Sequence, residues 1–359
     1  DFLSQEVPFN RPAMVLPDNN TLSARAERNE GLYRPELATL AANAKLHMLH
    51  ILTEAPEFDL ERLKTYLSSY FPESIVSQYE EDVQSHPLGL NIARTILTNY
   101  LVGDAGATWL TELYVQTGRQ PPDIISTYLQ ASELLGAHTL KLQLSQIEHS
   151  LKSETEYAAR LILENAIEGV ANWLLRRSLP TDQSYIAAFH SLLTNLSTLL
   201  PAEDAEQCAA QSVDFRMAEI PREVAEKLSL LCYYEDILDI AQVACESGKE
   251  IDTAAKVLYS VGHSTGLIQI IRNSIKTSSK STLERPARSA LRYQLRHQLV
   301  SIASRIIQGC GPDGQFTAEN NELVQVIQEE LNPMLNADEF ELSALVIATD
   351  RIGRHSNGH

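Results

Sequence analysis

The chain has 359 residues, a hydrophobic content of 44% and a formal net charge of −18. It can therefore bury a core worth two or three domains, and its acidity argues against general nucleic-acid affinity, which needs lysines and arginines against phosphates. The four cysteines, Cys208, Cys232, Cys245 and Cys310, form no C-x-x-C pair; this excludes a zinc ribbon or a thioredoxin-like redox pair and fits reduced thiols in a cytoplasm.

Residues 1–31 read as irregular, with prolines at 8, 12 and 17. A short helix over "TLSARAERN" is expected there, capped by Asn20 or Thr21. From residue 32 helix follows helix. "PELATLAANAKLHMLHILTEA" starts at Pro35 and carries Leu37, Leu40, Ala41, Ala44 and Met48 on one side, the spacing of an amphipathic helix. "DLERLKTYLSSYF" stops at Pro72 and "PESIVSQYEEDVQSH" at Pro87. "PPDIISTYLQASELLG" opens on two prolines and closes on a glycine, the usual asymmetry of helix ends. "ETEYAARLILENAIEGVANWLLRRS" runs up to Pro180, and further helices are predicted to residue 352.

No period of 33 to 47 residues recurs, so the fold class is all-α, a non-repeating assembly of roughly fifteen helices, readable as two packed sub-bundles. The expected division is an irregular segment 1–31, a first bundle 32–152, a second bundle 153–352 and a frayed tail 353–359. No run reaches the ~20 apolar residues of a membrane span, and no signal peptide opens the chain.

Three features invite chemistry. "GCGPDG", with Gly309, Gly311 and Gly314, spells the dinucleotide fingerprint G-x-G-x-x-G. That motif needs a strand before it and a helix opening inside it. Here a helical stripe, Leu295, Leu299, Ile302 and Ile306, leads into it, so the glycines read as a helix stop, with the next helix capped near Thr317. His47, His50 and Glu54 lie on adjacent turns of one helix and could hold zinc, but H-x-x-H lacks the metalloprotease glutamate, and ordinary hydrogen-bonded histidines are the favoured reading. "YYEDILDIAQ" carries Glu235, Asp236 and Asp239. The pattern is similar to the magnesium-binding D-D-x-x-D box of terpenoid synthases, yet no second metal box follows, and acids at a helix start are favourable in any case.

A fourth feature is electrostatic. Arg285, Arg288, Arg292 and Arg296 recur at three and four along one helix, and between residues 270 and 310 eight lysines and arginines stand against Glu284 alone. Such a face calls for an anionic neighbour: RNA, a phosphorylated ligand, another domain, or the acidic surface of the protein itself.

Several stretches resemble one family. "GLYRPELATLAANAKLHML" is similar to the G-L-T-R-P-E-L-A-V-L-L-A-Y-A-K segment of the large bacterial NAD-specific glutamate dehydrogenases. "SYFPESIVSQYEEDVQSHPLGLNIARTILTNYLVGDAGATWLTELYVQTG", "WLLRR" at 173–177, "DILDIAQVACESGKEIDTAAKVLYSVGHSTGL" and "RPARSALRYQLRHQL" at 286–299 follow in the same order as in that family. Two departures stand out: His86-Pro87-Leu88-Gly89-Leu90-Asn91 replaces a charged H-x-L-R-R-E, and "VGDAGATW" stands where N-R-x-G-P-T-F is expected.

The resemblance implies a helical C-terminal region of a very long enzyme that oxidatively deaminates L-glutamate to 2-oxoglutarate and ammonia, reducing NAD. The catalytic lysines of such enzymes lie in glycine-rich α/β lobes upstream, and nothing in this chain matches them, so no catalytic, cofactor-binding or metal residue is carried over. The resemblance further implies a cytoplasmic homo-oligomer that binds neither nucleic acid nor membrane. Residues 1–31 would lead out of an upstream catalytic domain, and Arg285, Arg288, Arg292 and Arg296 become a candidate docking face for it. A free-standing helical scaffold and a magnesium enzyme using Asp236 and Asp239 are the alternatives.

Overall fold

The structure, a computed structural model, describes residues 11, 13–28, 30–55, 63, 66–68, 70–176, 183–276, 284–310, 316–335 and 342–356. Every regular element among them is helical, as the spacing of apolar residues predicts. None of these helices is long and apolar enough to cross a membrane. The chain divides into two compact units, Asp1–Thr127 and Tyr128–His359.

The first unit holds α1 (Asn19–Glu27), α2 (Arg34–Glu54), two short helices α3 (Glu73–Gln78) and α4 (Glu80–Gln84), then α5 (Gly89–Ala105), α6 (Trp109–Thr117) and the start of α7 (Pro121–Leu134). The cap of α1 is Asp18, upstream of the expected Asn20 or Thr21, because its carboxylate reaches the Thr21 amide at 2.7 Å. Glu36 joins the first two helices: one carboxylate oxygen accepts from the Tyr33 amide at 2.7 Å and from Arg25 at 2.8 Å. That oxygen satisfies an amide the helix start leaves without a partner. α2 packs on α5. Each buries residues four apart, Ala44, Met48 and Leu52 on α2 and Ala93, Leu97 and Leu101 on α5. Each buried leucine or methionine stabilises the fold by ~1.5–3 kcal/mol. Most of the expected helix over residues 59–71 lies outside the described residues.

The division of the chain falls inside α7. The sequence reading puts it near residue 152, where the short turn Glu148–Ser150 separates α8 (Ala137–Ile147) from α9 (Ser153–Arg176). The second unit continues with α10 (Gln183–Leu199), α11 (Ala202–Met217), α12 (Arg222–Leu231), α13 (Tyr234–Ser247), α14 (Ile251–Thr265), α15 (Leu267–Lys276), α16 (Glu284–Ile306), α17 (Ala318–Leu335) and α18 (Leu342–Ser356).

α13 is the hub of this unit. It packs against α9, α10, α14 and α16, and ten consecutive-turn residues from Tyr234 to Ala244 are buried. Two glycines make close packing possible in this unit. A Cβ on Gly169 would collide with the Tyr234 ring and hydroxyl. Gly266 ends α14 in the left-handed region at φ +78°, and any side chain there would strike Leu335.

α16 runs straight into the single turn Ile307–Gly309. A helix, not a strand, therefore feeds the G-x-G-x-x-G stretch, whose residues Gly311–Gly314 lie outside the described residues. Thr317 caps α17, its hydroxyl accepting from the Asn320 amide at 3.3 Å. At the C-terminus, α18 persists to Ser356, beyond the fraying point expected at 353. The imidazole of His355 sits 3.1 Å from Glu330, and Arg354 pairs with Asp350 at 2.7 Å, which anchors the last turn.

A buried acid–arginine cluster as candidate functional site

Along α13, Glu235 and Asp239 are one turn apart on one face, with Asp236 beside them; along α16, Arg288, Arg292 and Arg296 repeat every four residues. Because α13 packs along α16, the acidic and basic stripes meet in the interior. Arg296 is the centre. Its Nη2 lies 2.7 Å from Asp239 Oδ2 and 2.9 Å from Asp236 Oδ1, and its Nη1 lies 3.3 Å from Glu235 Oε2. Arg292 Nη2 takes the other Glu235 oxygen at 2.9 Å. Trp173 of α9 donates its indole N–H to Asp239 Oδ1 at 3.4 Å.

A second pair extends the cluster. Arg272 of α15 grips both oxygens of Asp204 on α11, at 2.6 and 3.0 Å, and its Nη2 stands 3.7 Å from Asp236. Tyr259 of α14 donates to Asp236 Oδ2 at 3.3 Å, and the Tyr233 hydroxyl donates to the Asp204 carbonyl at 3.2 Å. His263 closes this edge, 3.7 Å from Asp204. Helices α11, α13, α14, α15 and α16 are thus tied by charge as well as by apolar contact.

Burial alone would drive the Arg296 guanidinium towards neutrality, but Asp239, Glu235 and Asp236 outweigh it and hold the charge well above the usual arginine range. Arg292 is likewise desolvated and likewise raised, by Glu235. The surrounding phenols move up for one shared reason. Burial disfavours phenolate, and a nearby carboxylate adds to it: Asp204 for Tyr233, Glu235 for Tyr234 and Tyr293, Asp236 for Tyr259.

What can such a cluster do? A general base must meet a substrate proton, and a magnesium ligand must offer its oxygens to the metal. Asp239 is wholly buried, with its oxygens turned to Arg296 and Trp173. The guanidinium of Arg296 occupies the place among the three carboxylates that a divalent ion would need. This corrects the magnesium reading of Asp236 and Asp239: their counter-ion is an arginine of the same chain.

The arginine face looks inward. The side chains of Arg288 and Arg296 are 9% and 7% exposed, and Arg288 pairs with Glu284 of its own helix at 2.7 Å. The Arg285 side chain lies outside the described residues. Of the four partners weighed from the sequence, the protein's own acids are the ones Arg288, Arg292 and Arg296 meet. The zinc reading finds His50 exposed and 4.0 Å from Glu54, and no group of three or more metal-ligating side chains occurs among the described residues.

Sequence reasoning missed Asp204, Trp173 and Tyr259. Asp204 stands in the first turn of α11 with Glu203, where an acid is ordinary, and only tertiary packing shows that it is 1% exposed.

The family model described as "Glutamate dehydrogenase, C-terminal" matches residues 29–354. The chain is also similar to NAD-specific glutamate dehydrogenases from three bacteria. The Halomonas elongata protein is 23% identical over 85% of this chain and 19% of its own length. The Mycobacterium tuberculosis protein is 26% identical over 67% of this chain and 15% of its own. The Pseudomonas aeruginosa protein is 21% identical over 84% and 19% respectively. The chain thus spans less than a fifth of the length of these curated relatives. With a match over nearly all of its helices, the chain belongs to the glutamate dehydrogenase C-terminal family.

Proposed function

We propose that this chain is a non-catalytic helical domain, serving packing, assembly or regulation, of a longer NAD-dependent glutamate dehydrogenase that converts L-glutamate to 2-oxoglutarate and ammonia. One observation carries the reading. Among the described residues of the second unit, Glu235, Asp236, Asp239, Arg292 and Arg296 are engaged in ion pairs between its own helices, with Arg296 facing three carboxylates at 2.7 to 3.3 Å. Groups held this way fix helix positions, which supports a structural role.

NAD in this reading belongs to a catalytic region elsewhere on the same polypeptide, and that region is the first partner of this chain. A cytoplasmic homo-oligomer of the parent completes the proposal. The test compares the purified chain with the full-length polypeptide for glutamate-dependent NADH formation. The reading requires turnover by the long form and none by the chain alone; turnover by the isolated chain would refute it.

A further inference from the structure

Among its described residues, the first unit exposes large apolar side chains close together in sequence. Between residues 70 and 90, Tyr70, Ile75, Tyr79, Leu88 and Leu90 are 60%, 41%, 48%, 57% and 44% exposed. Tyr70 belongs to one local group, and Ile75 with Tyr79 to another. The Tyr70 ring meets Phe71 edge-on at 5.1 Å, and Phe71 lies 6.0 Å from the His86 ring. His86 Nδ1 in turn accepts the Leu88 amide at 3.1 Å. Ile75 and Tyr79 stand one turn apart, the Tyr79 amide donating to the Ile75 carbonyl. The second unit exposes shorter apolar pairs on single helices: Tyr157 with Leu161 on α9, Val213 with Met217 on α11, and Val346 with Ile347 on α18.

Acids dominate this stretch of sequence, with Arg94 following one turn after Leu90 on α5. From residue 70 to residue 93 the sequence has Glu73, Glu80, Glu81 and Asp82 and neither lysine nor arginine, and all four acids are exposed. An aromatic centre with a charged rim is the composition of an interface. A second copy of the chain is a poor occupant. Each copy carries a net charge of −18, and a self-complementary contact would set this acidic rim against a similar one.

We propose that the surface around Tyr70, Phe71, Ile75, Tyr79 and Leu88 receives the remainder of the parent polypeptide, through an apolar patch with a basic rim. The proposal rests on the reading of the chain as one domain of a longer enzyme, whose relatives are several times its length. Apolar burial supplies the affinity, and the four acids select a cationic neighbour.

The experiment is chemical footprinting of tyrosines by mass spectrometry, on the full-length polypeptide and on the isolated chain, with reagent dose normalised on an added tyrosine peptide. Tyr70 and Tyr79 should lose reactivity several-fold in the full-length protein, and Glu80→Lys with Glu81→Lys should restore much of it. Equal reactivity in both proteins overturns the docking proposal, whether or not the long form turns over glutamate; glutamate turnover separately decides the family reading. Protection that grows with concentration in the isolated chain would name a second copy as the occupant and overturn the proposal as well.

Discussion

Arg296 Nη2 stands 2.7 Å from Asp239 Oδ2, and the Asp239 side chain is wholly buried. Two charges taken out of water this completely stabilise a fold only while they face each other; removing one leaves the other without compensation. The same guanidinium also faces Asp236 and Glu235, so its loss leaves three carboxylates close together.

Arg296→Leu should therefore destabilise the chain by ~3–5 kcal/mol, read as a lower urea midpoint at unchanged slope. Adding Asp239→Leu should recover part of the loss. The double variant then falls short of the sum of the single ones, the signature of direct coupling. Strict additivity would mean that the pair is independent.

Gly169→Ala should cost ~1–3 kcal/mol, because the new methyl group overpacks the Tyr234 ring. In a Tyr234→Leu background the same substitution should cost clearly less. Thermal unfolding of the four proteins checks this, and an equal penalty in both backgrounds would place the strain elsewhere.

Alkaline pH should unfold the second unit cooperatively. Tyr233, Tyr234, Tyr259 and Tyr293 all have folded values raised above the ordinary ~10 of a free phenol. The sign follows: stability is fully present below pH ~10 and falls as pH rises further, because the unfolded chain ionises first. Phenolate absorbance should show these four of the 13 tyrosines appearing together with loss of helix. Their smooth titration in folded protein would contradict the burial described.

At the acid end the relevant group is Glu36, held below the ordinary carboxylate value by Arg25 first and by the Tyr33 amide second. Its contribution is present above the unfolded value and lost as pH falls through the folded one. Glu36→Gln should thus lower Tm at pH 7, and the gap to the parent chain should close at acid pH. A gap independent of pH would show that the carboxylate charge plays no part.

The helical architecture was legible because apolar residues at three and four identify a helix whatever packs on it. Thr317 as the cap of α17 and Gly136 after α7 were readable from local chemistry alone. The arginine stripe was readable too, and so was the acidic run at 235–239, each as a helix face. Their meeting was not. Glu235 and Arg296 are 61 residues apart, and no local pattern says that two distant stripes will pair. The departure at Asp18 has a similar cause. Asp, Asn and Thr all cap helices, and the choice among neighbours depends on which oxygen the backbone brings to a free amide.

The most direct test of the account is Asp236→Asn in the full-length polypeptide, with kcat and KM for glutamate measured per folded molecule alongside Tm. The account predicts a lowered Tm with unchanged kinetic constants, since Asp236 serves Arg296, Arg272 and Tyr259 inside the helical unit. Abolished turnover at an unchanged Tm would contradict it and return these acids to catalysis.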